Sequence, residues 1–281
     1  HTVGRDLMYK IVTKRELVPK VKLIEISAEE VAEKVRPGQF VILRLDEKGE
    51  RIPLTIANRD VKKGTITIVF HEVGNTTKKL GSLNEGDVIS DVVGPLGNPA
   101  EIGEYGRVLC VGGGIWVAPL HFEALALREK GNKLVTVVGA RTKDLLVFEK
   151  EMKEISDEFY VATDDGSKGY KGLDFLKDLL KTQKIDRVIA MGPVVMMQTV
   201  AEITRPHGLK TVVTLAPIMV DGMGMCGACR VSVGNETKFA CMDGPEFDGH
   251  LVDFEQLILR QRLYLPEERI SSMLREKLGR N

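Results

Sequence analysis

The sequence predicts an antiparallel β-barrel, then an α/β domain with a parallel sheet, then a small cysteine-rich segment. Three observations predict this fold class. Short β-branched segments separated by turns fill residues 8–102, strand and helix patterns alternate over residues 103–215, and three of the four cysteines lie within residues 226–241. A chain of 281 residues is long enough for two domains with an appended segment.

The composition is that of an ordinary soluble protein. Hydrophobic residues make up 43% of the chain and charged residues 28%, with 40 basic and 40 acidic side chains. This balance argues against a nucleic-acid surface, and no apolar run approaches the ~20 residues of a membrane span. With neither a disulfide framework nor a secretory leader visible, a reducing cytoplasm is the expected location. Residues 1–7, before Met8, are expected to be the remnant of an expression tag.

The amino-terminal region has the pattern of a small barrel of six strands. Its segments are rich in β-branched residues and alternate in polarity, which favours half-buried antiparallel strands. Turn residues such as those at 84–86 and 94–97 separate them, and one helical turn is expected near residues 77–81. The predicted strands are residues 9–18, 22–26, 40–45, 53–57, 65–70 and 87–93.

From residue 106 onward the pattern changes to alternating strands and helices. This alternation indicates a parallel sheet covered on both faces. The predicted strands are residues 108–111, 133–138, 159–163, 187–191 and 211–215, and the predicted helices are residues 118–130, 145–155, 173–180 and 194–204. A cysteine-rich segment at 216–250 follows, and then a tail at 251–281 with an apolar-rich helix near 251–264.

The cysteine-rich segment carries a metal-ligand pattern. Asp221, Cys226, Cys229 and Cys241 are spaced as D-x4-C-x2-C-x11-C. A plant-type [2Fe–2S] cluster takes its four ligands from C-x4-C-x2-C…C, so an aspartate stands at the first position here. Glycines between these donors would let the backbone fold around a cluster. Three thiolates and a carboxylate would also suit a tetrahedral zinc ion, which is the alternative.

Three glycine-containing turns follow strands of the predicted parallel sheet. Ligands bind along the carboxyl edge of such sheets, where glycines let a pyrophosphate approach the N–H groups at a helix start. Tight turns between a strand and a helix are an equally common reason for glycine. The candidate nucleotide-binding residues are Gly112, Gly113, Gly114, Trp116, Pro119, Gly139, Arg141, Gly192 and Pro193.

Two segments of the predicted barrel are further candidates for a cofactor site. A hydroxyl at a strand end can hydrogen-bond a flavin ring, and a Gly/Thr-rich turn at a helix start can bind a pyrophosphate. Taken alone, these are ordinary strand and turn residues. The candidates are Arg51, Pro53, Leu54 and Thr55 in the first segment, and Val73, Gly74, Thr76 and Thr77 in the second.

The order of these motifs resembles the ferredoxin–NADP reductase superfamily, and within it the electron-transfer subunits of dihydroorotate dehydrogenase type. The resemblance extends from Met8 to the end of the chain and is most specific over residues 217–230 and 241–249. It is strongest to the small-subunit family of NADH-dependent ferredoxin:NADP oxidoreductases, also called sulfide dehydrogenase subunits. These carry aspartate at the position of Asp221, where dihydroorotate dehydrogenase subunits carry cysteine.

This resemblance implies a set of cofactors and partners. It implies FAD in the barrel, NAD(H) at the Gly112 turn and a [2Fe–2S] cluster on Asp221 and the three cysteines, while the residues do not separate NAD(H) from NADP(H). It also implies a larger flavin and iron–sulfur catalytic subunit, with ferredoxin reached through the complex. No side chain is expected to be catalytic, because the cofactors carry the chemistry and Thr55 orients the flavin near N5.

Two residues depart from the superfamily pattern. Ile52 occupies the place of its flavin-binding arginine, and Arg51 lies one residue earlier. Trp116 replaces a small residue, and its indole would either crowd the nicotinamide or stack on the flavin. Three other functions therefore stay open: a dihydroorotate dehydrogenase subunit, a stand-alone reductase, and a redox-sensing module with weak nicotinamide turnover. The apolar helix of the tail is expected either to pack on its own domain or to dock with a partner.

Overall fold

The barrel and the parallel sheet predicted from the sequence are both present in the computed structural model, which describes residues 9–267, 270 and 273. The tag remnant predicted at residues 1–7 and the last part of the predicted tail lie outside the described residues. The elements of the barrel are β1 (Tyr9–Val18), β2 (Val21–Ser27), α1 (Glu29–Lys34), β3 (Phe40–Arg44), β4 (Arg51–Asp60), β5 (Thr65–His71), α2 (Asn75–Ser82), β6 (Val88–Ile89) and β7 (Asp91–Leu96).

The barrel is one antiparallel sheet with the strand order β6-β1-β2-β5-β4-β3-β7. Its two edge strands, β6 and β7, are separated in sequence by Ser90 alone, so the sheet is nearly closed. The strand predicted at 87–93 is thus two strands. Alternating isoleucines fill the interior: Ile24 pairs with Ile68 and Ile26 with Ile66, and all four are fully buried. Helix α1, which the sequence analysis did not predict, adds Val31 and Ala32 to this core.

The second domain follows the predicted alternation. Its elements are β8 (Arg107–Gly113), α3 (Val117–Glu129), β9 (Lys133–Ala140), α4 (Glu149–Ile155), β10 (Glu158–Thr163), β11 (Tyr170–Lys171), α5 (Phe175–Thr182), β12 (Arg187–Met191), α6 (Val194–Thr204) and β13 (Thr211–Thr214), with 3-10 turns at Gly114–Trp116, Lys143–Leu145 and Arg205–His207. The sheet order is β11-β10-β9-β8-β12-β13, with parallel pairing throughout. Helix α4 starts later than predicted because Phe148 has a left-handed backbone (φ 55) that separates it from the preceding 3-10 turn.

The cysteine-rich segment is joined to the parallel sheet. It contains β14 (Arg230–Val233), β15 (Glu236–Phe239), α7 (Ala240–Asp243), β16 (Glu246–Asp248) and α8 (Phe254–Gln261). Strands β14 and β15 form a separate hairpin, whereas β16 pairs antiparallel with β13 and extends the larger sheet. This antiparallel edge strand was not predicted.

Helix α8 is shorter than the helix predicted near residues 251–264. It begins where it does because the Asp253 carboxylate accepts a hydrogen bond from Gln256 N (2.9 Å) and caps the first turn. Phe254 and Leu257 pack into the core of the second domain. No helix of the described residues is both long and apolar enough to cross a membrane.

Candidate functional site

A cavity of about 250 Å³ opens where the barrel meets the parallel sheet. Its lining is mostly apolar and its volume is near the lower end of the roughly 300–1,000 Å³ of ligand pockets, which suits a ring system better than a whole dinucleotide. The lining residues are Phe40, Pro53, Leu54, Thr55, Val69, Ile115, Trp116, Pro119, Thr214, Leu215, Ala216, Pro217, Met219 and Pro245. Five of the candidate residues predicted from the sequence are in this lining: Pro53, Leu54, Thr55, Trp116 and Pro119.

The barrel wall of the cavity is set by strand register. Strand β4 pairs with β3 so that Thr55 lies opposite Phe40 and Pro53 opposite Ile42. Side chains alternate along a strand, which places Arg51 on the same face as Pro53 and Thr55. Arg51 is exposed and lies beyond the cavity lining, so its part in cofactor binding stays a prediction.

The predicted pyrophosphate turn forms the start of α2. Thr77 Oγ1 accepts a hydrogen bond from Gly74 N (3.0 Å) and donates one to Gly74 O (3.1 Å), which closes the first turn. The Thr76 hydroxyl donates to Glu50, and Val73 is exposed. The first N–H groups of a helix have no intrahelical acceptor, as a pyrophosphate site requires, and the binding role of this turn stays a prediction.

A charge effect between the domains indicates that one nucleotide-domain candidate lies near this end of the barrel. His71 is the last residue of β5, a few residues before the α2 turn. Burial lowers the pKa of His71, and the charges of Arg141 and Lys20 lower it further. Arg141, which follows β9, therefore lies near the predicted flavin turn, as well as at the carboxyl edge of the sheet.

Helix packing requires two of the predicted nucleotide-binding glycines. A Cβ on Gly113 would lie 2.5 Å from Met196 Sδ, and one on Gly192 would lie 2.5 Å from Met196 Cε, so α6 packs against both. Gly114 differs, because its backbone is left-handed (φ +59) and nothing lies within 4 Å of a Cβ placed there. Gly114 is thus the glycine with open space for a ligand. Pro193 caps the start of α6 beside this turn.

Trp116 lies at the junction of the two proposed sites. It ends the 3-10 turn after β8, is half-buried, and lines the same cavity as Thr55 and Pro119. This position brings the indole to the predicted flavin cavity. Its effect on nicotinamide binding stays a prediction.

The four predicted cluster ligands come together in two pairs. Asp221 Oδ2 accepts a hydrogen bond from Cys226 N (2.6 Å), while Asp221 Oδ1 accepts one from Met223 N (2.8 Å). These backbone bonds, led by that from Met223, lower the pKa of Asp221. The second pair is Cys229 and Cys241, whose Sγ atoms lie 3.2 Å apart.

Electrostatics link the two pairs. Burial, followed by the adjoining Cys229 and to a smaller degree by the charge of Asp221, raises the pKa of Cys241 to about 12. Within the described part of the chain, no three His, Cys, Asp or Glu side chains converge as a single-ion site requires. A cluster of two irons takes four ligands, and Asp221 with the three cysteines supplies that number of carboxylate and thiolate donors. The residues present therefore fit a [2Fe–2S] cluster.

Two glycines determine the backbone conformation of the cluster loop. Gly222 and Gly224 have left-handed backbones, with φ +72 and +84. A Cβ on Gly222 would lie 2.9 Å from Ile42 Cγ1, and one on Gly224 would lie 2.7 Å from Met242 Cγ. Both positions thus need glycine for conformation and for close approach.

The barrel holds the cluster loop directly. Asn98 N donates to Gly244 O (2.7 Å), and Asn98 Nδ2 donates to Met242 O (2.9 Å). Phe40 and Ile42 of β3 share an apolar cluster with Cys229, Ala240 and Cys241. The cavity wall and the ligand loop are therefore parts of one packed unit.

Sequence reasoning missed one wall of the cavity. Residues 214–217, Met219 and Pro245 line it, and none of them was among the candidate site residues. The rule that ligands bind at the carboxyl ends of parallel strands could have found Thr214, the last residue of β13. Pro245 precedes β16 and reaches the cavity through long-range contacts, among them the pairing of β16 with β13.

Comparison with known proteins agrees with this geometry. The sequence profile described as the iron–sulfur cluster binding domain of dihydroorotate dehydrogenase B matches residues 216–253. A Thermotoga maritima protein described as a dihydroorotate dehydrogenase B (NAD(+)) electron transfer subunit homolog is 51% identical, over 91% of this chain and 93% of its own length.

Solved structures share the fold. A chain in the structure of the NADH-dependent reduced ferredoxin-NADP oxidoreductase, described with flavin-based electron bifurcation, is 48% identical and matches with a TM-score of 0.90, over 96% of this chain and 99% of that one. Phthalate dioxygenase reductase is 18% identical, with a TM-score of 0.57 over 81% of this chain and 86% of its own, and shows the fold alone.

Proposed function

Because the chain belongs to the family of dihydroorotate dehydrogenase B electron-transfer subunits, we propose that it moves electrons between NAD(H), FAD and a [2Fe–2S] cluster as the small subunit of a ferredoxin:NAD(P) oxidoreductase. Membership makes it an oxidoreductase subunit of the ferredoxin–NADP reductase type, as the sequence predicted. The narrower assignment is supported by the 48% identity to the NADH-dependent reduced ferredoxin-NADP oxidoreductase chain and by the aspartate at position 221.

The cavity would hold the flavin ring and the α2 turn its pyrophosphate. Thr55 presents a hydroxyl in the cavity wall, and Pro53, Leu54 and Trp116 supply apolar surface for a planar ring. When bound, the flavin exchanges a two-electron hydride for single electrons, which is chemistry that no side chain here supplies. The residues of this chain position the ring and exclude water from it.

The turn after β8 would hold the nicotinamide nucleotide. Gly114 leaves open space at a helix start. Gly139 lies at the end of β9 and Gly192 directly after β12, and both strands are neighbours of β8 in the sheet. Arg141 is exposed beside this edge and carries a positive charge for a phosphate. Asp221 and the three cysteines would hold the cluster.

One residue carries the proposal. Phe40 is 3% exposed, lines the cavity, and packs in the same apolar cluster as Cys229 and Cys241. A ring in the cavity would therefore be separated from the ligand loop by about one side chain, a spacing that suits electron transfer. A flavoprotein without an iron–sulfur cluster would not need a residue of its flavin cavity to pack against a cysteine loop.

The surface around the loop supports a larger partner subunit. Met225 is 83% exposed, and Val220, Met223 and Met242 are also exposed close to the ligands in sequence. Leu259 and Leu263, in and just after α8, point outward as well. Exposed apolar groups gathered on one part of a surface mark an interaction site. Electrons would leave here for the catalytic subunit, and ferredoxin would be reached through it.

The test is the cofactor content of anaerobically purified protein. We expect bound FAD, about two irons per chain in a cluster of the plant type, and bleaching of the flavin by NADH. Cys226→Ser should lose iron, whereas Cys110→Ala, at a buried cysteine outside the loop, should keep it. Zinc without visible cluster bands, or a flavin that dithionite bleaches and NADH does not, would contradict the proposal.

Co-purification with a larger chain separates the remaining alternatives. A complex that oxidises dihydroorotate would make this the subunit of a dihydroorotate dehydrogenase, the name carried by several relatives. A complex that exchanges electrons between NADH, NADPH and ferredoxin would support the assignment made above. Full NADH-dependent reduction of a soluble carrier by this chain alone would favour the stand-alone reductase.

A further inference from the structure

Helix α2, whose first turn is the proposed pyrophosphate site, is anchored in the barrel core by Leu80. Lys78 and Lys79, on the same helix, are exposed. The position of a helix in a protein comes mostly from the packing of its apolar face, and one leucine does not fix the direction of a helix of eight residues. The direction of α2 therefore depends on its polar contacts.

The least exposed of these contacts is an ion pair between β2 and the residue after β5. Lys22 Nζ lies 2.8 Å from Glu72 Oε1, and both side chains are 16% exposed. Lys22 Nζ also donates to Gly81 O (2.9 Å), in the last turn of α2. The last carbonyl groups of a helix have no intrahelical donor, so a lysine there satisfies one of them and complements the helix dipole.

The Glu72 carboxylate packs directly on Gly81. A Cβ on Gly81 would overlap Glu72 Oε1 and lie 2.6 Å from Glu72 Cδ, so the carboxylate fills the space that a side chain would take. Glu72 lies between the end of β5 and Gly74, and its N–H donates to Lys20 O (2.8 Å). The residue that leads into α2 is thus held against the last turn of α2. This contact fixes the angle at which the helix leaves β5.

The other side of α2 is held by exposed contacts. Lys79 pairs with Asp46, with side chains 49% and 41% exposed, and the Thr76 hydroxyl donates to Glu50. Exposed ion pairs contribute little, because water and salt screen them, whereas a partly buried pair is screened much less. Lys22 and Glu72 are therefore the polar residues with the strongest hold on the helix.

We propose that Lys22 and Glu72 are positioning residues for the flavin, which hold the Gly74 turn where it meets the pyrophosphate of FAD. The inference rests on the proposed function, which places that pyrophosphate at α2. Both side chains act through the helix, because their contacts are with its last turn and the flavin site is at its first. The pair should thus matter for FAD and not for riboflavin, which has the same ring without phosphate.

The test compares the affinities of the full-length, flavin-free protein for FAD and for riboflavin, measured by flavin fluorescence. Glu72→Gln and Lys22→Met should each weaken FAD binding about tenfold, the size of an anion–helix interaction in a partly buried site, and leave riboflavin binding unchanged. Glu25→Gln is the control. Glu25 is a half-buried carboxylate of the same strand as Lys22, it accepts from Thr13 Oγ1 (3.2 Å), and its change should alter neither affinity.

The sign of the effect separates positioning from simple charge. Loss of a carboxylate near a pyrophosphate would by electrostatics alone tighten FAD binding, whereas loss of the contact with the helix should weaken it. Lys79→Met removes a positive charge from α2 itself and breaks an exposed ion pair, so it should weaken FAD binding less than Lys22→Met. Tighter FAD binding in Glu72→Gln, or equal losses in the two lysine variants, would overturn the inference.

Gly81→Ala tests the same contact with both charges kept. Alanine is favoured over glycine inside a helix, so the change by itself would stabilise α2. The new methyl group would nevertheless displace the Glu72 carboxylate. Gly81→Ala should therefore weaken FAD binding as Glu72→Gln does and retain riboflavin binding. It also provides the test if Glu72→Gln or Lys22→Met does not fold.

The wild type distinguishes failure of the inference from failure of the proposed function. Wild-type protein that binds FAD no more tightly than riboflavin would contradict the placement of the pyrophosphate at α2, and the inference with it. A wild-type preference for FAD that persists in Glu72→Gln, Lys22→Met and Gly81→Ala would overturn the inference alone. The ion pair would then stabilise the barrel without a part in flavin binding.

Discussion

The cavity and the cluster loop lie side by side, but the chain builds them in different ways. The cavity walls are strand ends, where register fixes Phe40 opposite Thr55. The loop has no such ladder, and its path is set by left-handed glycines and by Asp221, which accepts the N–H groups of Met223 and Cys226. Strand packing specifies the first site and a few polar contacts specify the second. Single substitutions in the loop should therefore remove the cluster without unfolding the protein. Substitutions in the walls of the cavity should also lower the free energy of unfolding.

Asp221→Ala should have the largest effect. It removes one of four proposed donors, so the cluster should become labile or be lost, with the fold intact. Asp221→Cys keeps the charge and a donor, and should assemble a cluster with a shifted potential and altered optical bands. Iron content and the electron paramagnetic resonance spectrum of the reduced protein measure both effects.

Asp243→Ala is the matched control for that change. Asp243 also caps the backbone of this segment, accepting from Phe239 N (2.6 Å), but it is not a proposed ligand. If Asp221 only caps a turn, the two alanine variants should behave alike. Full iron occupancy and an unchanged spectrum in Asp221→Ala would remove it from the ligand set.

Phe40→Ala tests the packing that joins the two sites. Truncating a buried phenylalanine costs about 3–5 kcal/mol of unfolding free energy. Phe122→Ala should cost a similar amount, because Phe122 is also buried, but it packs in the barrel core away from the loop. Only Phe40→Ala should also slow electron transfer from flavin to cluster, measured by rapid mixing with NADH. Equal rates of flavin-to-cluster electron transfer in both variants would mean that the packing of Phe40 does not contribute to that transfer.

Glu123→Gln should change how stability depends on pH. Burial raises the pKa of Glu123, on α3, well above its usual range. Because the folded state keeps the Glu123 proton to higher pH than the unfolded state, it binds more protons above the unfolded pKa of about 4.3. The free energy of unfolding of the wild type should therefore fall as pH rises from there towards the folded pKa, by at most about 1.4 kcal/mol per pH unit. Urea denaturation at several pH values should show a shallower fall in Glu123→Gln and the wild-type slope in Glu151→Gln, at an exposed carboxylate of α4. Equal slopes would mean that Glu123 is ionised in the folded protein.

Trp116→Ala should have the smallest effect. If the indole stacks on the flavin, its loss should weaken FAD binding by about 0.5–1.5 kcal/mol beyond the loss of apolar area and should alter flavin fluorescence. Ile115→Ala, at the next residue in the same cavity wall, controls for apolar area alone. Tighter NAD(H) binding with unchanged fluorescence would favour crowding of the nicotinamide instead.

The sequence predictions succeed where a feature is set by residues within one helix or strand. The strand at 187–191 and the helix at 194–204 match β12 and α6 residue for residue, because buried strands and amphipathic helices repeat their apolar pattern within one element. The start of α4 was wrong, since it depends on the left-handed backbone of Phe148, which no residue pattern announces. The division of the chain into domains and the assignments of individual ligands stay predictions.

The sequence by itself determined the alternation of strands and helices in the second domain and the spacing of the four cluster donors, because each of these is set by neighbours along the chain. Only the tertiary structure decided that Phe40 lines the cavity and packs with Cys229 and Cys241, and that Thr214 pairs with Glu246 close to the cavity that Pro119 also lines. Among them are residues of β3, β13, α3 and β16, which are brought together by strand pairing and helix packing across more than a hundred residues of chain. Such long-range contacts produce no periodic pattern or motif spacing in the sequence. Each packed surface could be covered by many side chains of similar size and shape.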